Sequence, residues 1–322
     1  MRRVLVTGAN GFVGQTVCPV LSEAGYTVRA AVRSSDKLPG RSFEGEVVTV
    51  GDIGSDTRWE PALEGISAVV HLAGRVHVLR ETFQDPLAEF HKINVLGTER
   101  LVRMAAEEGV QRLIYVSSIG VNGRTTGSHP FTEEDVPDPH NPYAFSKWEA
   151  EQALGQVTAE TGIEVVILRP PLVYGPGVKA NFLRLMKLVN RGVPLPLKSI
   201  ENRRSLLYIG NLASAIMTCI DQPGAAGKVF LVSDGEDVST PELFSWIGSA
   251  LGRSVYLLPF PPLLLRMAGR LTGSLSGLEP LLDSLTVDSS KIRRALNWRP
   301  PYTMSEGFRD TASWFKSREP SS

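Results

Sequence analysis

Tyr143 and Lys147 stand one helical turn apart as Tyr-x-x-x-Lys, and Ser118 precedes the tyrosine by twenty-five residues. A free phenol loses its proton only near pH ~10, so tyrosine alone is a poor base at neutral pH. An ammonium one turn away favours the phenolate and draws that value down. A serine hydroxyl beside the pair can steady a substrate oxygen while the proton moves. Such a set suits interconversion of a hydroxyl carbon and a carbonyl carbon. A Tyr-x-x-x-Lys pair alone would equally describe an ordinary helix surface. It gains meaning from a second feature, Thr7-Gly8-Ala9-Asn10-Gly11-Phe12-Val13-Gly14, directly after the apolar run Val4–Val6. Gly8, Gly11 and Gly14, with Phe12 and Val13 between them, let the backbone approach a pyrophosphate whose charge sits at the amino end of the next helix.

The elements that must position these residues follow from periodicity. Short apolar runs at Arg3–Val6, Thr27–Val32, Val47–Val50, Ala68–His71, Arg112–Ser117 and Val165–Arg169 read as strands covered on both faces. Helical stretches lie between them, including Asp85–Glu108 and Asn141–Thr161. The expected fold is α/β, a Rossmann-type doubly wound parallel sheet with a smaller, interleaved C-terminal substrate domain. Residues 1–170 plus 206–234 are assigned to the dinucleotide domain, and 171–205 plus 235–322 to the substrate domain. Pro19 predicts a kink in the first helix. The run Val255–Leu265, interrupted by Pro259, Pro261 and Pro262, is too short to span a bilayer and is expected to form a buried wall or a substrate lid.

The second strand ends at Val32-Arg33, where sites selective for NAD place a carboxylate on the ribose hydroxyls. Arg33 can instead pair with a 2′-phosphate, which favours NADP over the alternative, NAD. Asp52 and Ile53, after the third strand, are assigned to the adenine edge. Leu72, Ala73 and Gly74, after His71, are placed under the nicotinamide ribose, with His71 itself a strand-end residue. Ser118 follows the fifth strand, where a parallel sheet presents its carboxyl ends to ligand. Lys147 is given a second task, holding the ribose hydroxyls. Asn94 is expected to support the cofactor side by hydrogen bonding rather than by reacting. His77, His91, His129 and His140 lack evident partners and are read as structural or exposed.

Lysine plus arginine equals aspartate plus glutamate, 34 against 34, which argues against a nucleic-acid binder or a protein held to anionic lipid. Cys18 and Cys219 are isolated, match no metal spacing and suit a reducing compartment. No signal peptide precedes the first strand. The chain is therefore expected in the cytoplasm, without membrane insertion and without a metal.

The motifs TGANGFVG (Thr7–Gly14), HLAG (His71–Gly74), NVLGT (Asn94–Thr98), VSSIGVNG (Val116–Gly123), YAFSK (Tyr143–Lys147) and LRPPLVYGPG (Leu168–Gly177) together resemble an extended short-chain dehydrogenase/reductase of the NAD-dependent epimerase/dehydratase family. The resemblance runs nearly to Asp288–Pro301. It implies a UDP-sugar substrate, with Asn181 and Arg204 on the diphosphate, Leu195 within a uracil pocket at Val193–Leu197, and Pro170 against the cofactor. It also implies a homodimer through the helices near Asp85–Glu108 and Asn141–Thr161, although apolar faces there could equally pack within one chain.

Three departures narrow the reaction. Ile119 and Gly120 stand where 4,6-dehydratases carry Asp-Glu, so dehydration is not expected. Leu172 and Val32 stand where UDP-galactose 4-epimerases carry an asparagine and an acid. Near Leu278 no match exists for the arginine that grips the diphosphate in those enzymes. The chain more closely resembles a bacterial subgroup, often labelled epimerase, that includes reductases of UDP-4-keto-6-deoxy-N-acetylhexosamines serving surface polysaccharide synthesis. The resemblance makes reduction of a UDP-4-keto-6-deoxy-hexosamine by NADPH the leading expectation. A redox-neutral UDP-hexose 4-epimerase is the alternative, and a non-catalytic dinucleotide sensor the minor one.

Overall fold

The computed structural model describes residues 2–34, 45–76, 85–271 and 275–318. His77 lies outside them. The strands are β1 (Arg3–Thr7), β2 (Thr27–Val32), β3 (Glu46–Thr49), β4 (Ala68–His71), β5 (Arg112–Val116), β6 (Glu164–Arg169), β7 (Leu172–Tyr174), β8 (Arg204–Tyr208), β9 (Val229–Leu231) and β10 (Asp237–Val238). Seven of them form one parallel sheet in the order β3-β2-β1-β4-β5-β6-β9. The order reverses beside β1, and that switch point lies at the glycine loop, where open parallel sheets bind ligands.

Helices α1 (Gly14–Glu23), α2 (Glu60–Leu63), α3 (Pro86–Phe90), α4 (Gly97–Glu107) and α5 (Pro142–Thr161) accompany this half of the chain. The second half adds α6 (Ala180–Asn190), α7 (Ile209–Asp221), α8 (Thr240–Leu251), α9 (Pro262–Leu271), α10 (Leu275–Leu282), α11 (Ser290–Leu296) and α12 (Met304–Arg318). One core lies between the sheet and α1 and α7, with Val17, Leu21, Ile216 and Cys219 against Val6 and Val70. Another lies on the opposite face, where Leu101, Ala105 and Leu154 of α4 and α5 cover Leu5, Val69 and Leu113. The apolar residues of α4 and α5 named here therefore pack within the chain.

β7, β8 and β10 form a small separate sheet above a third core. The boundary expected at residue 206 would fall inside β8, a strand whose side chains serve two cores. Leu207 joins the core of the large sheet, whereas Leu206 and Tyr208 join the core of the small one. Alternation along a strand sends neighbours to opposite faces, so β8 serves both. Asp234, just beyond β9, reinforces the seam by accepting from the Tyr208 backbone, Asn211 Nδ2 and the Tyr174 hydroxyl.

α1 is one helix with Pro19 inside it, where the ring removes the N–H that would bond the Gln15 carbonyl. One expectation changes. Val255–Leu265 is not a buried wall: it is largely exposed, and pairs with residues 195–198 along one edge.

Two buried arginines fasten strands to helix ends. Arg29 Nη1 donates to the carbonyls of Pro61, Ala62 and Glu64 at the end of α2. Arg112 Nη1 does the same for Cys219, Ile220 and Gln222 at the end of α7, while its Nε and Nη2 hold Glu164. A cation at a helix carboxyl terminus satisfies carbonyls that have no intrahelical partner. Arg112→Met should lower unfolding free energy by about 2–4 kcal/mol, read from urea titration. A loss under about 0.5 kcal/mol would mean that the α7 carbonyls do not depend on this side chain.

Candidate active site

α5 is locally specified from end to end. The Asn141 side chain accepts from the Ala144 N–H, Pro142 occupies the first turn, and Gly162 ends the helix at φ 76°. That start sets Tyr143, Lys147 and Glu151 on successive turns of one face, and Lys147 and Glu151 are both buried. His140, read as unpartnered, hydrogen-bonds the Asn141 side chain at 2.9 Å.

Ser118 follows β5 and begins a short 3₁₀ turn, Ile119–Val121, where its hydroxyl accepts from Gly120 N–H at 3.1 Å. Its own O–H thereby remains available, and it hydrogen-bonds Tyr143. Burial pushes the Tyr143 phenol up to about 12, with Ser118 opposing. Burial pushes Lys147 down to about 7, with Glu151 opposing. The sequence reading had Lys147 drawing the phenol down. In the protein alone desolvation dominates. The ammonium lies over the Tyr115 ring, 4.2 Å from its centroid, and faces Gly74.

Beneath this trio sits a network that spacing did not suggest. Glu151 accepts from Arg169 through two bonds, 3.0 Å from Nε and 2.5 Å from Nη2, with both side chains nearly fully buried. Ser117 donates to the same carboxylate at 2.5 Å, and Arg169 Nη1 donates to Asn122 Oδ1 at 2.9 Å. Glu151 falls one turn after Lys147, which is the only sequence signal it carries.

The cofactor side is a groove of 560 Å³ lined by Gly8, Gly11, Val32, Arg33, Asp52 and Gly74, among others. Gly8 has φ +67°, and a Cβ there would lie 2.8 Å from the Ala73 nitrogen. A Cβ on Gly14 would lie 2.4 Å from the Gly8 oxygen, so the loop closes only with glycine. No side chain caps α1, so its amino end, preceded by Phe12 and Val13, suits an anion. Thr7 Oγ1 accepts from the N–H groups of Leu72 and Ala73 and bonds His71 Nδ1 at 2.7 Å. His71 Nε2 bonds Thr98, and burial pushes the imidazole down to about 3, so it is a neutral structural residue. Ile53 packs against Gly97 of α4. The backbone of Pro170 accepts from Ile119 and so ties β6 to the Ser118 turn.

Asn94 occupies a π-helical turn, His91–Leu96, between α3 and α4. Its amide bonds Arg75 N–H and C=O at 2.7 and 3.0 Å and Ser146 Oγ at 2.9 Å. It thereby joins the groove wall at Gly74–Arg75 to α5. Arg33 lines the groove, where its Nε pairs with Asp52 Oδ1 at 3.1 Å, both exposed. This glycine cradle, open helix terminus and groove fit a dinucleotide.

On the substrate side, Arg204 Nη1 donates to the Asp283 carbonyl and is largely buried, and Leu195 is buried in a bridge to Leu257. Asn181 is exposed in the first turn of α6. Cys18 and Cys219 are buried, with thiols pushed up to about 12, and the described residues hold no cluster of metal-ligating side chains.

A Rossmann-type sheet with a glycine loop, Ser118 against Tyr143, and Lys147 facing Gly74 of the groove wall is the arrangement of a short-chain dehydrogenase/reductase. The chain belongs to the NAD dependent epimerase/dehydratase family, whose model matches residues 4–233. It is 43% identical over 318 residues to the UDP-glucose 4-epimerase of Vibrio cholerae, covering 98% of this chain and 95% of that one. It is 29% identical over 328 residues to the GDP-6-deoxy-D-mannose reductase of Pseudomonas aeruginosa, covering 98% of each. The structure of UDP-glucose 4-epimerase from Thermotoga maritima with UDP-glucose shares the fold, with TM-score 0.77, 23% identity and coverage of 98% and 99%. The protein is thus an enzyme of the nucleotide-sugar epimerase and reductase type.

Lys147 links catalysis to stability. Its folded value of about 7 lies below the ordinary value near ~10.4 for lysine. Between these limits the unfolded chain holds more protons than the folded one, so stability rises with pH across that window. In dinucleotide-free protein, Lys147→Met should unfold at higher urea than the native chain at pH 6 and lose this rise toward pH 10. Parallel pH profiles for the two proteins would show that Lys147 is not desolvated in the folded state.

Proposed function

We propose that the protein reduces the C4 carbonyl of a UDP-linked 4-keto-6-deoxy-hexosamine, with NADPH as reductant. The C4 chemistry rests on Ser118, Tyr143 and Lys147 meeting beside the groove. When bound, the cofactor supplies hydride to the sugar carbon. Ser118 donates a hydrogen bond to the carbonyl oxygen and Tyr143 gives that oxygen its proton. Lys147, facing Gly74, holds the ribose hydroxyls, and Asn94 fixes the adjoining wall. Arg204 and Asn181 take the diphosphate, and Leu195 lies along the uracil.

The observation that carries the reductive direction is Arg33 at the adenosine end, in place of a carboxylate. An arginine there suits the 2′-phosphate of NADPH, a reductant exchanged every turnover. Leu172, partly exposed at the start of β7, supports the same direction, since it replaces the asparagine of the epimerases. The second reading, a redox-neutral 4-epimerase retaining NAD, is favoured by identity to the V. cholerae protein named as a UDP-glucose 4-epimerase.

Arg33→Ala should weaken NADPH binding by about one to two decades while leaving NADH little changed, as a charge-assisted contact is worth roughly 1.5–3 kcal/mol. Equal shifts for the two cofactors, measured by fluorescence titration, would reduce Arg33 to a loop residue.

Supplying a UDP-4-keto-6-deoxy-sugar separates the two readings. Reduction should consume NADPH in one-to-one proportion, seen as loss of nicotinamide absorbance. Interconversion of UDP-glucose and UDP-galactose without added cofactor, together with no turnover of the keto sugar, would assign the protein to the epimerases.

A further inference from the structure

We propose that the extended run Tyr256–Phe260 and helix α9 form a peripheral docking surface for an anionic lipid bilayer. The proposal is independent of the reaction direction. Tyr256, Leu258 and Phe260 are 61%, 51% and 36% exposed. On α9, Leu263, Leu264, Met267 and Leu271 are exposed too, Leu271 at 87%. At about 100° per residue these four fall within one stripe roughly 100° wide. The side of α9 turned to the protein carries Leu265 and the buried Gly269. The helix therefore presents its richer apolar face to solvent, the reverse of an ordinary surface helix.

Hydrogen bonding holds this face outward. Leu195 N–H donates to the Tyr256 carbonyl and Leu258 N–H to the Leu195 carbonyl, both at 2.8 Å. Lys198 N–H donates to Leu258, and Phe260 N–H to Ser199 Oγ. The run is thus pinned to the segment beside the substrate site and cannot fold down as a lid without breaking these bonds.

The charge pattern selects the occupant. From Leu243 to Leu278 the chain carries Arg253, Arg266 and Arg270 and no carboxylate at all. The global balance of 34 against 34 conceals this tract. Arg266 and Arg270 flank the apolar stripe on its same side. Arg266 is held by Asp283 at 2.5 Å, and Lys198 is exposed on the paired segment, with Glu201 beyond it. Apolar side chains edged by arginines suit the boundary between acyl chains and anionic headgroups. A second copy of the chain suits it less, because a two-fold contact sets each patch against itself. Arg270 would then meet the same acid-free tract.

Vesicle co-sedimentation of the full chain tests this. The native protein should pellet with vesicles of phosphatidylcholine mixed with phosphatidylglycerol, less with phosphatidylcholine alone, and less again as salt rises. Leu263→Glu/Met267→Glu and Arg270→Glu should each weaken binding to the anionic vesicles by about tenfold or more. Unchanged dinucleotide binding will show that the variants are folded. If the double variant loses it, Leu271→Glu takes its place, since that side chain is the most exposed on α9. No pelleting of the native protein, equal binding to neutral and anionic vesicles, or variants that bind as the native chain would each overturn the proposal. Self-association in lipid-free buffer that the glutamate variants abolish, seen by sedimentation velocity, would also overturn it and give the face to a second copy.

Discussion

The Glu151–Arg169 pair is the interaction on which the rest of the site depends. Neither charge is reachable by water, so each must be answered within the protein. The guanidinium answers the carboxylate through two parallel bonds, a geometry that fixes orientation as well as charge. Arg169 comes from β6, Glu151 from α5, and Ser117 from the end of β5 adds a third bond to the same carboxylate. These three elements bring Ser118, Tyr143 and Lys147 to one place. Ser117 holds the strand end just before Ser118, and Glu151 holds the helix one turn beyond Lys147. The same carboxylate also favours the charged form of Lys147 where burial disfavours it.

The cofactor side is organised by space rather than charge. Gly8 and Gly14 allow backbone contacts that any Cβ would prevent. Thr7 then ties the loop to Leu72 and Ala73, and Asn94 ties the next residues to α5 through Ser146. Groove and α5 thus share a continuous set of hydrogen bonds, which fixes Tyr143 and Lys147 relative to the groove wall.

Much of this was legible in the sequence, for reasons that differ by element. The strands of the large sheet are continuous apolar runs because both faces are covered, and Ser118, Tyr143 and Lys147 sit on neighbouring elements at fixed spacing. What escaped was contact between distant residues. Arg169 and Ser117 carry no local sign that they share Glu151. The short strands β7 and β10 give too few residues for a periodicity to show. Val255–Leu265 was misread because an apolar run predicts burial only when the chain itself supplies the cover. The pull of Lys147 on Tyr143 was argued from sequence distance, whereas the ammonium turns toward Tyr115 and Gly74.

The π turn at His91–Leu96 ties the length of this segment to the position of Asn94. It holds one residue more than the α-helical turns on either side and forgoes their better hydrogen bonding. Loss of a single residue there would let α3 and α4 merge into one regular helix, a change that the backbone itself would favour. It would also rotate Asn94 by about 100° relative to α4, away from Arg75 and Ser146. A single-residue deletion here would thus gain helical regularity and lose the contacts of Asn94.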